Sequence, residues 1–270
     1  MNLNKALWEK GDFTKIAALM RESGEALVKS LGVTTPLRVL DLGCGDGTTA
    51  VPLALLGAEV VGIDIAENLV AAGNRRAAEA GLDRLKFQQG DACDLRGIGD
   101  HSFDLTISVF GAMFASKPFD VAREMVRVTR PGGRIVMGNW IPGDATFVSQ
   151  LLKLSSSYMP PPPDGFVSPM TWGVDAHIVE RFGQAGVPPE KISTVKDTFH
   201  FVAADSAPAH MSELFRRFYG PTMNAFEAAE KSGRAEELSR QLVDLARAQN
   251  ESTNGGTSIP ATYLRVTIQL

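Results

Sequence analysis

The sequence predicts a doubly wound α/β fold, a parallel sheet with helices on both faces. Strand-like apolar runs alternate with helical repeats through the first half of the chain, the pattern of successive βαβ units. One run, Val39-Leu40-Asp41-Leu42, passes into Gly43-Cys44-Gly45-Asp46-Gly47-Thr48, with glycine at every second position. That order describes a strand, a tight turn and a helix start; glycine suits a turn that uses positive φ or admits a ligand against the backbone. A second buried strand, Val60-Val61-Gly62-Ile63-Asp64, closes on an acid. In open α/β sheets an acid there holds the hydroxyls of a ribose, so the two signals together mark a nucleotide site.

The remaining elements follow in order. Ile16, Leu19, Met20, Leu27 and Leu31 recur at helical spacing, which predicts one helix over 14–31 with Asp12 as its N-cap. A helix near 48–56 joins the first two strands, and another near 66–80 stops at Gly81, a suitable residue just past a helix end. Pro118 suits the first position of the next helix, with Phe119, Ala122, Met125 and Val126 on its inner face. The prolines of the Tyr158–Pro163 stretch cannot continue a helix and predict an extended, stiff connection. A helix near 174–185, a strand near 192–204 and helices near 207–231 and 233–249 come next, the last with Ala235, Leu238, Leu242 and Leu245 on one stripe. After the turn at Asn254-Gly255-Gly256, residues Tyr263–Leu270 alternate like a terminal strand.

Composition narrows the function. At 270 residues, 44% hydrophobic and 21% charged, the chain fits one large α/β domain with insertions. A net charge of −4 argues against a nucleic-acid partner. No apolar run is long enough for a membrane span, and Met1-Asn2-Leu3-Asn4-Lys5 lacks the apolar region of a signal peptide, so no integral membrane segment and a cytoplasmic location are expected. Cys44 and Cys93 make neither a disulfide framework nor a zinc site, and no metal is expected. The oligomer expected is a monomer or homodimer.

A dinucleotide turn reads Gly-x-Gly-x-x-Gly, and Thr48 stands where its third glycine belongs, counted from Gly43. A diphosphate also favours a helix start free of acids, whereas Asp41 and Asp46 flank this turn. Those acids suit a ligand with a cationic centre and an ammonium group. At this point the chain resembles the class I S-adenosylmethionine-dependent methyltransferases, whose first motif reads Asp/Glu-x-Gly-x-Gly-x-Gly. The resemblance continues in order. Leu85–Gln89 with Gly90-Asp91-Ala92 is similar to the third strand and its turn, Phe103–Val109 to the fourth strand, and Val126–Ile135 to the turn into the fifth strand in the ubiquinone/menaquinone-type small-molecule methyltransferases. It spans roughly residues 37–140.

The resemblance implies a Rossmann-like seven-stranded sheet whose antiparallel last strand lies between the fifth and sixth. It implies S-adenosylmethionine as cofactor and a small-molecule acceptor. Residues 1–36 would form an N-terminal helical segment, 37–140 the cofactor core, and 141–270 the rest of the sheet with a helical substrate cap at about 205–257. The ribose falls to Asp64, the adenine amino group to Asp91 and the methionine portion to Ser108 and Val109, with Ile65 and Ala92 as further cofactor-binding residues. Asp41 would orient the loop and the cofactor's amino end, with Gly43, Cys44 and Gly45 acting through their backbone. Gly111-Ala112-Met113-Phe114 is apolar where several relatives carry a polar residue or histidine, which favours an apolar or aromatic acceptor for O-, N- or C-methylation. Trp8, Phe13, Met113, Phe114, Trp172, Phe215 and Phe218 are the expected pocket, since the N-terminal helix, the proline-rich segment and the cap converge on the ligand end of the sheet. His177, His210 and Tyr219 are the candidate bases. Two other readings stand beside this one, an NAD(P)-dependent oxidoreductase and a non-catalytic nucleotide-binding subunit.

Overall fold

In a computed structural model that describes residues 3–33 and 37–270, seven strands form one sheet. They are β1 (Arg38–Leu42), β2 (Glu59–Asp64), β3 (Leu85–Gln89), β4 (Phe103–Val109), β5 (Thr129–Trp140), β6 (Ile192–Ala203) and β7 (Thr257–Gln269), in the order β3-β2-β1-β4-β5-β7-β6. Every strand is parallel except β7, which pairs antiparallel with β5 and β6. The start at Met1-Asn2 and the expected boundary at residue 36 lie outside the described residues.

The helices are α1 (Leu3–Glu9), α2 (Thr14–Ala18), α3 (Arg21–Ser30), α4 (Ala50–Leu55), α5 (Glu67–Glu79), α6 (Pro118–Val128), α7 (Phe147–Ser156), α8 (Asp175–Gln184), α9 (Pro208–Phe218), α10 (Gly220–Lys231) and α11 (Ala235–Gln249). α4 and α5 pack beside β2 and β3, α6 packs on β4 and β5 with α8 against it, and α9–α11 pack together with α7. The central strands are buried on both faces: Val39, Leu40 and Leu42 are fully buried, as are Leu105, Ile107, Ile135 and Met137. Among the described residues no helix is long and apolar enough to cross a membrane.

Several boundaries differ from the sequence reading, each for a tertiary reason. The helix expected over 14–31 is two, because the chain breaks at Leu19–Met20 and the Leu19 carbonyl accepts from Val202 N at 2.8 Å. That bond ties the break to β6. Asp12 stands one residue before the N-cap position, Phe13, and its carboxylate accepts from Thr14 N and Thr14 Oγ1. On α6 the inner face is Val121, Ala122, Met125 and Val128; Phe119 points to solvent and Val126 is half-buried. The helix expected over 207–231 breaks at Tyr219, and β7 starts six residues earlier than its alternating tail suggested, at Thr257 rather than Tyr263. α1 was not foreseen.

Candidate active site

Four strand ends build the site. Past β1, Gly43, Gly45 and Gly47 all take positive φ, +70°, +54° and +92°. The Ile63 carbonyl of β2 accepts from Gly43 N (2.7 Å) and Cys44 N (3.1 Å), so the loop is stitched to its neighbour strand. The two outer glycines of the motif's first half do different work. A Cβ on Gly43 would stand 2.6 Å from Gly111 Cα, because the loops after β1 and β4 touch backbone to backbone. A Cβ on Gly45 would meet nothing within 4 Å, since it would project into open space.

Asp64, at the end of β2, accepts from Gly45 N through Oδ2 (2.8 Å) and from Ala66 N through Oδ1 (2.9 Å). Each oxygen keeps a second lone pair for a ligand hydroxyl. Burial pushes its carboxyl above the ordinary value, against the pull of those amides. Asp41 is sealed beneath the loop. Its Oδ2 accepts from Thr49 Oγ1 at 2.5 Å, while its Oδ1 is buried without a partner among the described residues. Burial raises the Asp41 carboxyl to about 7; the Thr49 hydrogen bond opposes that shift and the charge of Asp64 adds to it.

Asp46 is buried, with Arg21 Nη2 2.7 Å and Arg76 Nη1 3.6 Å from its carboxylate. The two guanidinium groups tie α3 and α5 to the loop through Asp46, which also lines the cleft and keeps its Oδ1 without a hydrogen-bond partner among the described residues.

Above the strand ends lies a solvent-open cleft of about 880 Å³. Of the expected cofactor residues, Gly43, Cys44, Gly45, Asp64 and Ile65 line it, as do Asp91, Ala92 and Val109. Asp41 and Ser108 do not. Asp41 lies under the loop, and the Ser108 hydroxyl is used within the fold: it donates to the Leu42 carbonyl (2.6 Å) and accepts from Ala112 N (2.9 Å), which closes the turn after β4. Burial lifts the Cys44 thiol well above its ordinary value, so it stays a protonated, inert side chain.

A narrow, tightly packed chamber opens beside the cleft and is almost wholly apolar. Trp8, Phe13, Met20 and Phe110 line both spaces and form the neck between them. Phe114, Phe215 and Tyr219 complete the part of the chamber that the sequence foresaw. Met113, Trp172 and Phe218 are not part of it. Met113 follows Ala112 in a tight 3-10 turn that directs it into the core while Phe114 faces the chamber. Trp172 is fully buried under the Arg181 guanidinium, 4.4 Å from its ring, and packs on Phe182. Phe218 is half-buried beneath Arg217. The proline run also stays away: Tyr158 instead bonds Gln241 on α11 (2.8 Å), and α7 reaches the chamber through Val148.

The histidine candidates fall outside both spaces. His177 is half-exposed beside Glu180 (3.5 Å), and His210 is exposed on α9. Tyr219 lines the chamber, but burial pushes its phenol upward, so it is a proton donor and no base at neutral pH. Residues the sequence reading missed include Phe110, Trp140 and Phe201. Phe110 takes the left-handed φ of +58° directly after β4, a costly conformation for a bulky residue, and stacks on Trp140 with centroids 3.5 Å apart. The hydrophobic patterns of β4 and β5 show two strands and do not show that their ends stack.

An uncharacterised protein of Mycobacterium tuberculosis is 33% identical over 245 residues, 90% of this chain and 86% of its own. Residues 40–137 match the family described as a methyltransferase domain. The chain belongs to the class I S-adenosylmethionine-dependent methyltransferases. A demethylmenaquinone methyltransferase of Beutenbergia cavernae is 38% identical over 144 residues, 49% of this chain and 58% of that one. The fold matches a solved phosphoethanolamine N-methyltransferase 2 of Haemonchus contortus, in complex with phosphomonomethylethanolamine and S-adenosylhomocysteine, with a TM-score of 0.57, and the YcgJ protein of a Bacillus with a TM-score of 0.56 at 19% identity, covering 92% of this chain and 98% of that one. For the Haemonchus enzyme the identity is 17%, covering 92% of this chain and 52% of that one. These matches favour neither the oxidoreductase nor the non-catalytic reading.

S-adenosylmethionine is the cofactor of this family, and the residues present fit it. The spare lone pairs of Asp64 suit a ribose, and the open side of Gly45 leaves room against the backbone.

Proposed function

We propose that this methyltransferase acts on a small, mainly apolar or aromatic acceptor held in the aromatic chamber. The observation that carries the reading is the shared neck: Trp8, Phe13, Met20 and Phe110 line the cofactor cleft and the chamber alike. Among the described residues no carboxylate, amine or histidine lines the chamber, so a charged acceptor would lose its hydration without a partner.

When bound, the cofactor supplies an electrophilic methyl group on a sulfonium. The chain's own residues bind and orient. Asp64 takes the ribose, Gly43 and Gly45 bring the backbone close, and Asp91 with Ala92 border the adenine side. Phe110, Trp8 and Phe13 exclude water at the neck, where displacement needs the two reactants in line. With no base among the described residues of the chamber, the methylated atom is one that reacts without help in losing a proton, or loses it readily. The segment over 205–257 is the acceptor lid: α9 and the break after it contribute Phe215 and Tyr219 to the chamber wall. Leu242 of α11 is buried where Ser212 bonds its carbonyl and serves the lid's own core. Two free thiols, Cys44 and Cys93, support a reducing cytoplasmic setting.

Label transfer from methyl-labelled cofactor to a panel of phenols, naphthols, indoles and short polar amines tests the reading. Turnover confined to flat apolar acceptors is expected; turnover confined to the short polar amines would overturn it.

A further inference from the structure

Tyr219 is forced out of helical geometry by its neighbours. α9 stops at Phe218, and Pro221 in the first turn of α10 bars the two helices from running on as one. Tyr219 takes extended angles, φ −97° and ψ 109°. Gly220 then lets α1 approach, since a Cβ there would stand 2.5 Å from the Leu7 carbonyl oxygen. That contact brings the Trp8 ring to 5.9 Å from the Tyr219 ring, with Phe215 at 5.3 Å on the other side.

The residue is 5% exposed, yet its hydroxyl hydrogen-bonds none of the described residues. The other two tyrosines differ: Tyr158 bonds Gln241 (2.8 Å) and Tyr263 bonds Asp197 (3.2 Å). A buried tyrosine hydroxyl ordinarily finds a partner, and this one lines the chamber. The Trp8 indole nitrogen beside it is already engaged by Asn4 Oδ1 at 3.1 Å.

We propose that the Tyr219 hydroxyl donates a hydrogen bond to an oxygen on the acceptor, so that the chamber selects flat apolar molecules carrying a hydroxyl, carbonyl or carboxylate over hydrocarbons of the same size. The inference rests on the acceptor reading above. Because burial keeps the phenol protonated, Tyr219 orients the acceptor and takes no proton from it. A hydrocarbon leaves the hydroxyl unpaired, and that difference sets the selectivity.

The test uses 2-naphthol and 2-methylnaphthalene with S-adenosylhomocysteine present, followed by quenching of tryptophan fluorescence, since Trp8 and Trp140 line the chamber. Wild type should prefer 2-naphthol by about tenfold. Tyr219→Phe should abolish that preference while its affinity for 2-methylnaphthalene and S-adenosylhomocysteine stays unchanged and its melting temperature does not fall. A wild type without preference, or a variant that keeps it, overturns the role of Tyr219. If neither compound binds wild type, the aromatic-acceptor reading fails and this inference fails with it.

Discussion

Alanine at Gly43 and at Gly45 should produce opposite failures, although the two residues are two positions apart. Both take positive φ, which costs a residue with a Cβ about 1–2 kcal/mol. At Gly45 that is the whole structural penalty, because the new methyl group meets nothing within 4 Å. At Gly43 the methyl group would stand 2.6 Å from Gly111 Cα, and overpacking against backbone adds about 1–3 kcal/mol. Gly43→Ala should therefore lose roughly 2–5 kcal/mol and Gly45→Ala roughly 1–2 kcal/mol. At about 2–4 °C per kcal/mol, the Gly45 variant should melt within about 8 °C of wild type. Its defect should appear in binding, since its methyl group occupies cofactor space: calorimetric titration should show S-adenosylmethionine affinity reduced roughly 5- to 150-fold. Wild-type affinity in a folded Gly45→Ala protein would refute the placement of the cofactor over this glycine. Equal melting of the two variants would refute the backbone contact as the reason for Gly43.

Three further outcomes follow from the same geometry. Asp64→Ala should weaken S-adenosylmethionine binding by about 1.5–3 kcal/mol by titration, and should also lower the melting temperature because Gly45 N and Ala66 N lose their acceptor; unchanged affinity would contradict the ribose role. Asp41 has a folded pKa of about 7 against an ordinary value near 3.8, so its stabilising contribution is full below pH ~4 and is lost as pH rises through 7. Asp41→Asn, neutral throughout, should gain melting temperature relative to wild type between pH 4 and 8, and a flat difference would contradict the burial of that carboxyl. Phe215→Ala should cost about 3–5 kcal/mol, since its ring packs on Phe147, Phe201 and Tyr219, and should admit bulkier acceptors in a turnover screen; an unaltered acceptor range would count against the lid.

What the sequence showed, and what it hid, divides by the range of the interactions involved. The glycine loop, Asp64 and Asp91 were legible because a strand end, a turn and an acid are encoded within a few residues. The break at Leu19–Met20 was not, because a bond from distant Val202 rewards it. Phe119 and Val121 lie two residues apart, and helical periodicity alone chose the wrong one to face inward. Topology put Trp8, Phe13 and the segment over 205–257 at the carboxyl ends of the strands, and Trp8, Phe13, Phe215 and Tyr219 do line the chamber there. It could not tell which aromatic rings turn into the chamber, so Trp172 and Phe218 were drawn in while Phe110 and Trp140 were missed. The left-handed Phe110 is offset by stacking between the ends of two strands, and no local pattern records it.

The most direct test is a crystal structure with S-adenosylhomocysteine. The expected result places the ribose hydroxyls on Asp64, the adenine beside Asp91 and Ala92, and the sulfur at the neck ringed by Trp8, Phe13 and Phe110, facing the chamber. A nucleotide with its adenine in the aromatic chamber, or with its sulfur turned away from the neck, would contradict methyl transfer into that space.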